Sequence, residues 1–206
     1  MTAQYLRDTA AQAGMTTEYL AVGDIGWHGG RGTFTDLGER PIRLMFKLYP
    51  WEWLIREPFG RNLPSAATRW LEPPWKMILS NKAILPILWG LFPDSPYLLR
   101  AEFEPFGGTY VAKPALSREG ANLTIVEDGR IIAETAGPYT GGPMIYQAFH
   151  PLPEFEGRFP VVGSWMVNGF ACGVGLREDS GLITRNTSRF VPHLYRKSPL
   201  VAAPGC

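Results

Sequence analysis

Apolar and polar residues alternate most clearly in the second half of the chain, where two long stretches are each divided by a two-residue turn. Leu123-Thr-Ile-Val-Glu-Asp-Gly-Arg-Ile-Ile-Ala-Glu-Thr135 sets Asp128-Gly129 between two β-rich runs, and Pro160 to Arg177 sets Asn168-Gly169 the same way. Both dipeptides accept the positive φ angles of a type I′ turn, so each stretch predicts a β-hairpin. Met144 to Phe149 reads as a strand running into Pro151-Leu-Pro153, and Thr109 to Ala112 as a strand that Pro114 stops. The first half is less regular. Residues 2–13 predict a helix, with Thr2 as N-cap and Gly14 to end it. A strand is expected at Glu18 to Val22, and Gly26-Trp-His-Gly-Gly-Arg-Gly32 reads as a flexible surface loop. Pro41 to Arg56 passes from strand-like alternation to a helix opened by Pro50, its aromatics in the core. A second helical region spans 73–92, with Asn81 as a cap and Lys82 at the start of its apolar part. Hairpins after an early helix and strand predict an α+β fold in which antiparallel hairpins pack with helices.

Composition narrows the function classes. With 206 residues, 45% of them hydrophobic, the chain can build one large core or two small lobes. Twenty Lys and Arg against nineteen Asp and Glu create no field that would gather nucleic acid or an anionic membrane. The longest apolar run, Ala83 to Phe92, is about half of what a bilayer-spanning helix needs and contains Pro86. Cys172 and Cys206 form no C-x-x-C pair, and the N-terminus shows no signal-peptide pattern, so a cytoplasmic location is expected. Cys172 reads as a packed small side chain.

Several chemistries fall away. His28, His150 and His193 are scattered, without H-E-x-x-H or paired cysteines, so no metal site is expected from nitrogen or sulfur ligands. Ser164 lacks the G-x-S-x-G setting of a hydrolase nucleophile and reads as a residue packed in a strand. Glu102 and Glu104 alternate on one face of an expected strand, where solvation is the simpler role. What remains is Val111-Ala-Lys113-Pro114-Ala-Leu-Ser117-Arg118-Glu119-Gly120: a lysine at a strand end before a small, glycine-containing loop. Lysine supplies charge and loop N–H groups supply direction, a combination suited to phosphate. The other reading is a hairpin with surface charges, since no standard phosphate motif is matched.

Phe46-Lys-Leu-Tyr-Pro-Trp-Glu52, Leu71-Glu-Pro-Pro-Trp-Lys76, Ser80-Asn-Lys-Ala-Ile-Leu-Pro-Ile-Leu-Trp89, the Lys113-Pro loop, Gly163-Ser-Trp, Gly175-Leu-Arg-Glu-Asp179 and Ile183-Thr-Arg-Asn-Thr-Ser-Arg-Phe-Val-Pro-His193 occur in this order along the chain. In them the chain resembles the C-terminal part of the glutathionylspermidine synthase family. The resemblance implies an ATP-grasp fold, here an incomplete domain, and an ATP-dependent carboxylate–amine ligase that works through an acyl phosphate. Lys82 and Lys113 match the family's nucleotide lysines, and Ser117, Arg118, Glu119 and Gly120 the loop that closes over the phosphates. Gln147 and Ala148 match the linker that meets adenine, and Leu182, Ile183 and Thr184 the opposite wall of that cleft. Arg177 matches the arginine expected to hold the transferring phosphoryl group, where charge develops.

Two departures follow from the same resemblance. The family's magnesium-ligating E-x-N-x-D-T-P-T-like segment lies upstream of the matched region, and no E-x-N occurs in this sequence. The chain therefore reads as a fragment that needs ATP and Mg²⁺, with the metal's ligands outside it; the alternative is a non-catalytic nucleotide-binding or partner-binding module. Second, Leu48 and Trp53 stand where glutathionylspermidine synthases have threonines. The acid and amine partners are thus expected to be small molecules of unspecified identity. Residues 1–60 are expected to pack on a missing N-terminal half, and 61–206 to form the nucleotide-binding portion. Without that half, Phe46, Tyr49, Trp51 and Trp53 would leave an apolar patch and invite self-association.

Overall fold

In the computed structural model, which describes residues 2–194, the chain divides between Ser80 and Asn81. The first unit opens with helix α1, Thr2–Gln12. Gly14 ends it at φ 81°, which brings the Met15 N–H back to the Ala10 carbonyl at 3.0 Å.

No strand forms at 18–22, contrary to the reading above. The segment has no strand to pair with; Glu18 instead meets Arg40 at 2.6 Å, and Val22–Asp24 makes a single 3₁₀ turn. The expected glycine-rich loop is in part a strand: β1 (Gly26–His28) pairs antiparallel with β2 (Thr33–Thr35). Gly26 is needed there for close approach, because a Cβ on it would lie 2.7 Å from the Thr35 hydroxyl.

β3 (Leu44–Phe46) and β4 (Arg69–Leu71) then pair in parallel. Between them lies α2, the one-turn helix Trp51–Leu54, with Pro50 just outside it rather than in its first turn. Thr68 joins the two pairs: its hydroxyl donates to the Ile42 carbonyl at 2.7 Å and accepts the Phe34 N–H at 3.3 Å. Around it Trp27, Phe34, Trp70 and Trp51 stack edge to face, with centroids 5.0–5.5 Å apart. Of the aromatics expected in the core between 41 and 56, Trp51 is buried, whereas Phe46 and Trp53 are exposed.

The helical region at 73–92 is interrupted. A 3₁₀ turn, Pro74–Lys76, leads into α3 (Met77–Ser80); the chain breaks at Asn81 and Lys82, and α4 (Ile84–Leu91) begins the second unit. Pro86 sits in the first turn of α4, where its missing N–H costs no helical bond. Among the described residues no helix is long and apolar enough to cross a membrane.

The second unit holds a five-stranded antiparallel sheet in the order β5-β9-β6-β7-β8. Its strands are β5 (Ala101–Glu102), β6 (Thr109–Pro114), β7 (Thr124–Glu127), β8 (Arg130–Glu134) and β9 (Met144–Ala148). The expected hairpin is β7–β8, with Asp128 and Gly129 at φ 46° and 80°. As expected, β6 ends at Pro114, opposite Met144, one backbone bond following from the Ala115 N–H to the Pro143 carbonyl at 2.8 Å. Glu104 falls outside β5, so Glu102 and Glu104 share no strand face.

Register sets the core. Ala101, Val111, Ile125 and Gln147 lie in one row, Lys113 and Ile145 in the next, all on one face. Ala101, Ile125 and Ile145 are essentially inaccessible on that face.

A second sheet, β10-β11-β12, comprises Phe159–Val167, Phe170–Asp179 and Arg189–Val191. Asn168 and Gly169 turn the long hairpin at φ 50° and 82°. Toward its tip Ser164 and Cys172 are exposed, not packed, because both faces of the ribbon are open there; Cys206 lies outside the described residues.

Candidate functional site

The sheet's alternation places Lys113 on the buried face, beside Ile145, where its ammonium donates to the Gln147 side-chain oxygen at 2.6 Å. Val111 is directly opposite Gln147, so the lysine reaches its partner diagonally across the ladder. Burial, with the nearby charge of Lys82, lowers the Lys113 pKa to about 8.

Lys82 arrives from the break before α4. Its N–H donates to the Ala115 carbonyl at 2.8 Å, and Asn81 accepts the Ala83 N–H at 2.9 Å, which fixes the turn. Its ammonium donates to the Ser117 hydroxyl at 3.0 Å and to the Ser117 carbonyl. The start of the Ser117–Gly120 loop is thereby tied to the cation.

Arg118 and Glu119 are exposed on this loop, and Glu119 and Gly120 take consecutive left-handed angles of 56° and 74°. Thr135 secures the far end, donating to the Gly120 carbonyl at 2.5 Å and accepting the Leu123 N–H at 3.0 Å. Gly120 itself rests on the segment after β11: a Cβ there would stand 2.3 Å from the Thr184 carbonyl oxygen and 3.2 Å from Ile183. The Ser117–Gly120 loop and the 182–184 segment are therefore in direct contact, with Ile183 buried. Ala148 follows Gln147 in β9, opposite Tyr110, and its N–H donates to the Arg100 carbonyl at 2.8 Å.

Arg177 extends from β11 with its guanidinium 5.3 Å from the Phe190 ring centroid and donates to the Arg185 carbonyl. Its Nε is buried without a hydrogen-bond partner.

The site residues thus form two linked groups. Lys82, Lys113, Ser117 and Gln147 make a half-buried cationic cluster; Gly120, Leu182, Ile183, Thr184 and Arg177 gather around the 181–188 segment. Sequence reading missed the groups that hold these in place, namely Thr135, Asp179, Arg185 and Ser188. Asp179 is fully engaged: its carboxylate accepts from Arg185 at 2.9 Å, from Ser188 and from the Gly181 N–H at 3.0 Å. The Arg185 contact above all holds its pKa far below the usual carboxylate range. The Asp179-Ser-Gly181 spacing of an Asx turn was the available signal. Among the described residues no group of three His, Cys, Asp or Glu side chains is arranged to hold a metal ion. The described residues therefore offer no magnesium site of that kind.

The profile of the glutathionylspermidine synthase preATP-grasp family matches residues 1–196. A Haemophilus influenzae protein provisionally named an acid–amine ligase is 44% identical over 202 residues, 93% of this chain and 51% of its own length. Trypanothione synthetase of Crithidia fasciculata is 31% identical across 92% of the chain and 33% of its own length. The bifunctional glutathionylspermidine synthetase/amidase of Escherichia coli is 30% identical across 95% of the chain and 36% of its own length. The chain thus spans about half the length, or less, of these relatives. On the match over residues 1–196 and these identities, it belongs to the glutathionylspermidine synthase family.

Proposed function

We propose that this chain carries the nucleotide-binding portion of an ATP-dependent carboxylate–amine ligase with an ATP-grasp-like architecture. The observation that carries the reading is the pair Lys82 and Lys113. One lysine is bound to the loop at Ser117, and the other lies on the buried sheet face against a neutral amide. Two cations beside each other on a partly dehydrated surface disfavour one another. A triphosphate would reverse that cost, with Lys82 and Lys113 as point charges and the loop N–H groups from Ser117 to Gly120 giving direction. Gln147 and Ala148 would border adenine, with Leu182, Ile183 and Thr184 opposite. Arg177 would meet the transferring phosphoryl group; its buried, unpaired Nε retains a donor for that purpose.

Magnesium, when bound, would supply neutralisation of phosphate charge. Its ligands belong, in this reading, to residues outside the sequence, since Asp179 is occupied by Arg185 and Ser188. The acid and amine are small molecules. Leu48 and Trp53, both exposed, give an apolar surface where threonines would serve a polar peptide, which favours an acid other than glutathione.

The reading is tested by calorimetry with ATP: the chain binds it, and Lys113→Ala weakens binding. Absence of heat in the folded wild-type chain would remove the proposal. The same Asp179 engagement favours a second reading, a nucleotide-binding module without catalysis. The two separate on amine-dependent ADP release, which is expected to be absent from these 206 residues. In the first reading it returns when an upstream segment bearing the E-x-N-type ligands is joined; in the second it does not.

A further inference from the structure

Asp179 has no role in the chemistry above, yet the segment after it is folded around its carboxylate. The residue is 4% exposed at the end of β11. Arg185 reaches it with two nitrogens, Nη2 to Oδ1 at 2.9 Å and Nε to Oδ2 at 3.3 Å. Ser188 donates its hydroxyl to Oδ2 while accepting the Arg185 N–H at 2.7 Å, and the Gly181 N–H completes the set at 3.0 Å. Residues 181, 185 and 188 are thus all drawn to one anion, and Leu182 to Thr184 form the span stretched between the first two.

Two successive carbonyls of that span face functional groups. The Thr184 carbonyl abuts Gly120 so closely that no Cβ fits between them. The Arg185 carbonyl accepts from Arg177. The phosphate-type loop and the arginine assigned to phosphoryl transfer therefore rest on adjacent peptide groups of one segment, and that segment takes its shape from a single buried carboxylate.

We propose that Asp179 is a positioning residue which, through the 181–188 segment, sets the Gly120 loop and Arg177 in a fixed mutual arrangement. The functional part of this inference rests on the nucleotide reading above; the structural part does not. Loss of the Asp179 charge frees the segment, so the Gly120 loop loses its seat and Arg177 its acceptor, although neither touches Asp179.

The test is a double-mutant cycle on ATP affinity in the 206-residue chain, combined with amide hydrogen exchange. Gly120→Ala places a methyl group against the Thr184 carbonyl and Asp179→Asn loosens the segment; each weakens ATP binding by about tenfold. Because a loosened segment can make room for the methyl group but leaves the strain of an alanine at φ 74°, the double variant is weakened by clearly less than the roughly hundredfold of independent effects. A residue that only stabilises the fold would give the additive result, and that result overturns the proposal.

In the unliganded protein, Asp179→Asn speeds exchange at residues 118–121 and 181–188 by about tenfold or more and leaves the 124–134 hairpin unchanged. Unchanged protection at 118–121 overturns the proposal whether or not ATP binds. If wild-type protein fails to bind ATP, the nucleotide reading falls and the exchange measurement alone decides. Should Asp179→Asn fail to fold, Ser188→Ala removes one contact from the same cluster and is expected to speed exchange at the same two segments; no change there counts against the inference.

Discussion

Lys47 and Lys113 are both largely withdrawn from solvent, and the protein treats them in opposite ways. Lys47, in the first unit, has a side chain only 7% exposed; its ammonium lies 4.4 Å from the Trp51 ring centroid and 3.7 Å from the Glu72 carboxylate. An opposite charge and a π face compensate its burial. Lys113, in the second unit, meets the neutral side-chain oxygen of Gln147 and is opposed by the charge of Lys82. The first arrangement lowers the energy of the cation at rest. The second raises it, and the natural remedy is an anion from outside. Burial of a lysine is therefore uninformative by itself; the sign of its neighbours separates a packing role from a binding one.

The widest separation between the two should appear on truncation. Lys113→Ala is expected to weaken ATP binding by about 1.5–3 kcal/mol, the usual range for a hydrogen bond to a charged group, or roughly 10- to 150-fold in Kd. Thermal stability should be unchanged or slightly raised, because a strained cation is removed. Calorimetry and a melting curve on one preparation check both halves. Unchanged affinity together with a lower Tm would make Lys113 another Lys47.

A change of pH sharpens the contrast without mutation. The Lys113 pKa is lowered from 10.5 to about 8, so the unfolded chain binds more protons than the folded one between those values. Where the unfolded state holds the extra proton, stability rises with pH. The contribution of Lys113 to stability is therefore unfavourable below pH 8 and is relieved as pH climbs through that window. ATP affinity moves the other way: with a pKa near 8, the protonated fraction of free Lys113 falls about tenfold from pH 7 to pH 9, and Kd should rise by about that factor. Binding near pH 8 should also take up a proton, measurable as a calorimetric heat that depends on the buffer. An affinity flat from pH 7 to 9 would remove Lys113 from the phosphate site.

What the sequence disclosed of this contrast follows the range of the forces involved. Turns at Asp128-Gly129 and Asn168-Gly169 depend on two residues' own φ preferences, and both hairpins were legible. Lys113 could be singled out because it neighbours the Ser117–Gly120 loop in sequence, and Lys82 because it matches the family motif. The burial of Lys113 could not, since it follows from β6 pairing with β9 some thirty residues later in a register that sets it beside Ile145. Short strands failed for the same reason. β1 is defined by its fit against Thr35, and the anchor at Thr68 lies outside any local window. Asp179 sits between: its Asx turn is local, but Arg185 and Ser188 become its partners only once the segment has folded back.

The smallest expected effect tests the compensated lysine. Lys47→Met keeps most of the aliphatic stem over Trp51 and removes the charge, so the packing is largely retained while the cation–π and ionic contacts are lost. Glu72 is half exposed and can return to water, so it is not left as a buried, unpaired charge. The loss should come to about 1 kcal/mol of stability, within the range for a cation–π contact together with a partly exposed ion pair, and it should shrink little in high salt because the ring contact is shielded from solvent. ATP affinity should stay within a factor of about two. Denaturant titration with and without nucleotide reads both quantities. If Lys47→Met were instead neutral for stability but costly for ATP binding, opposite-charge compensation would no longer mark a packing lysine, and the assignment of Lys113 by its lack of such compensation would lose its basis.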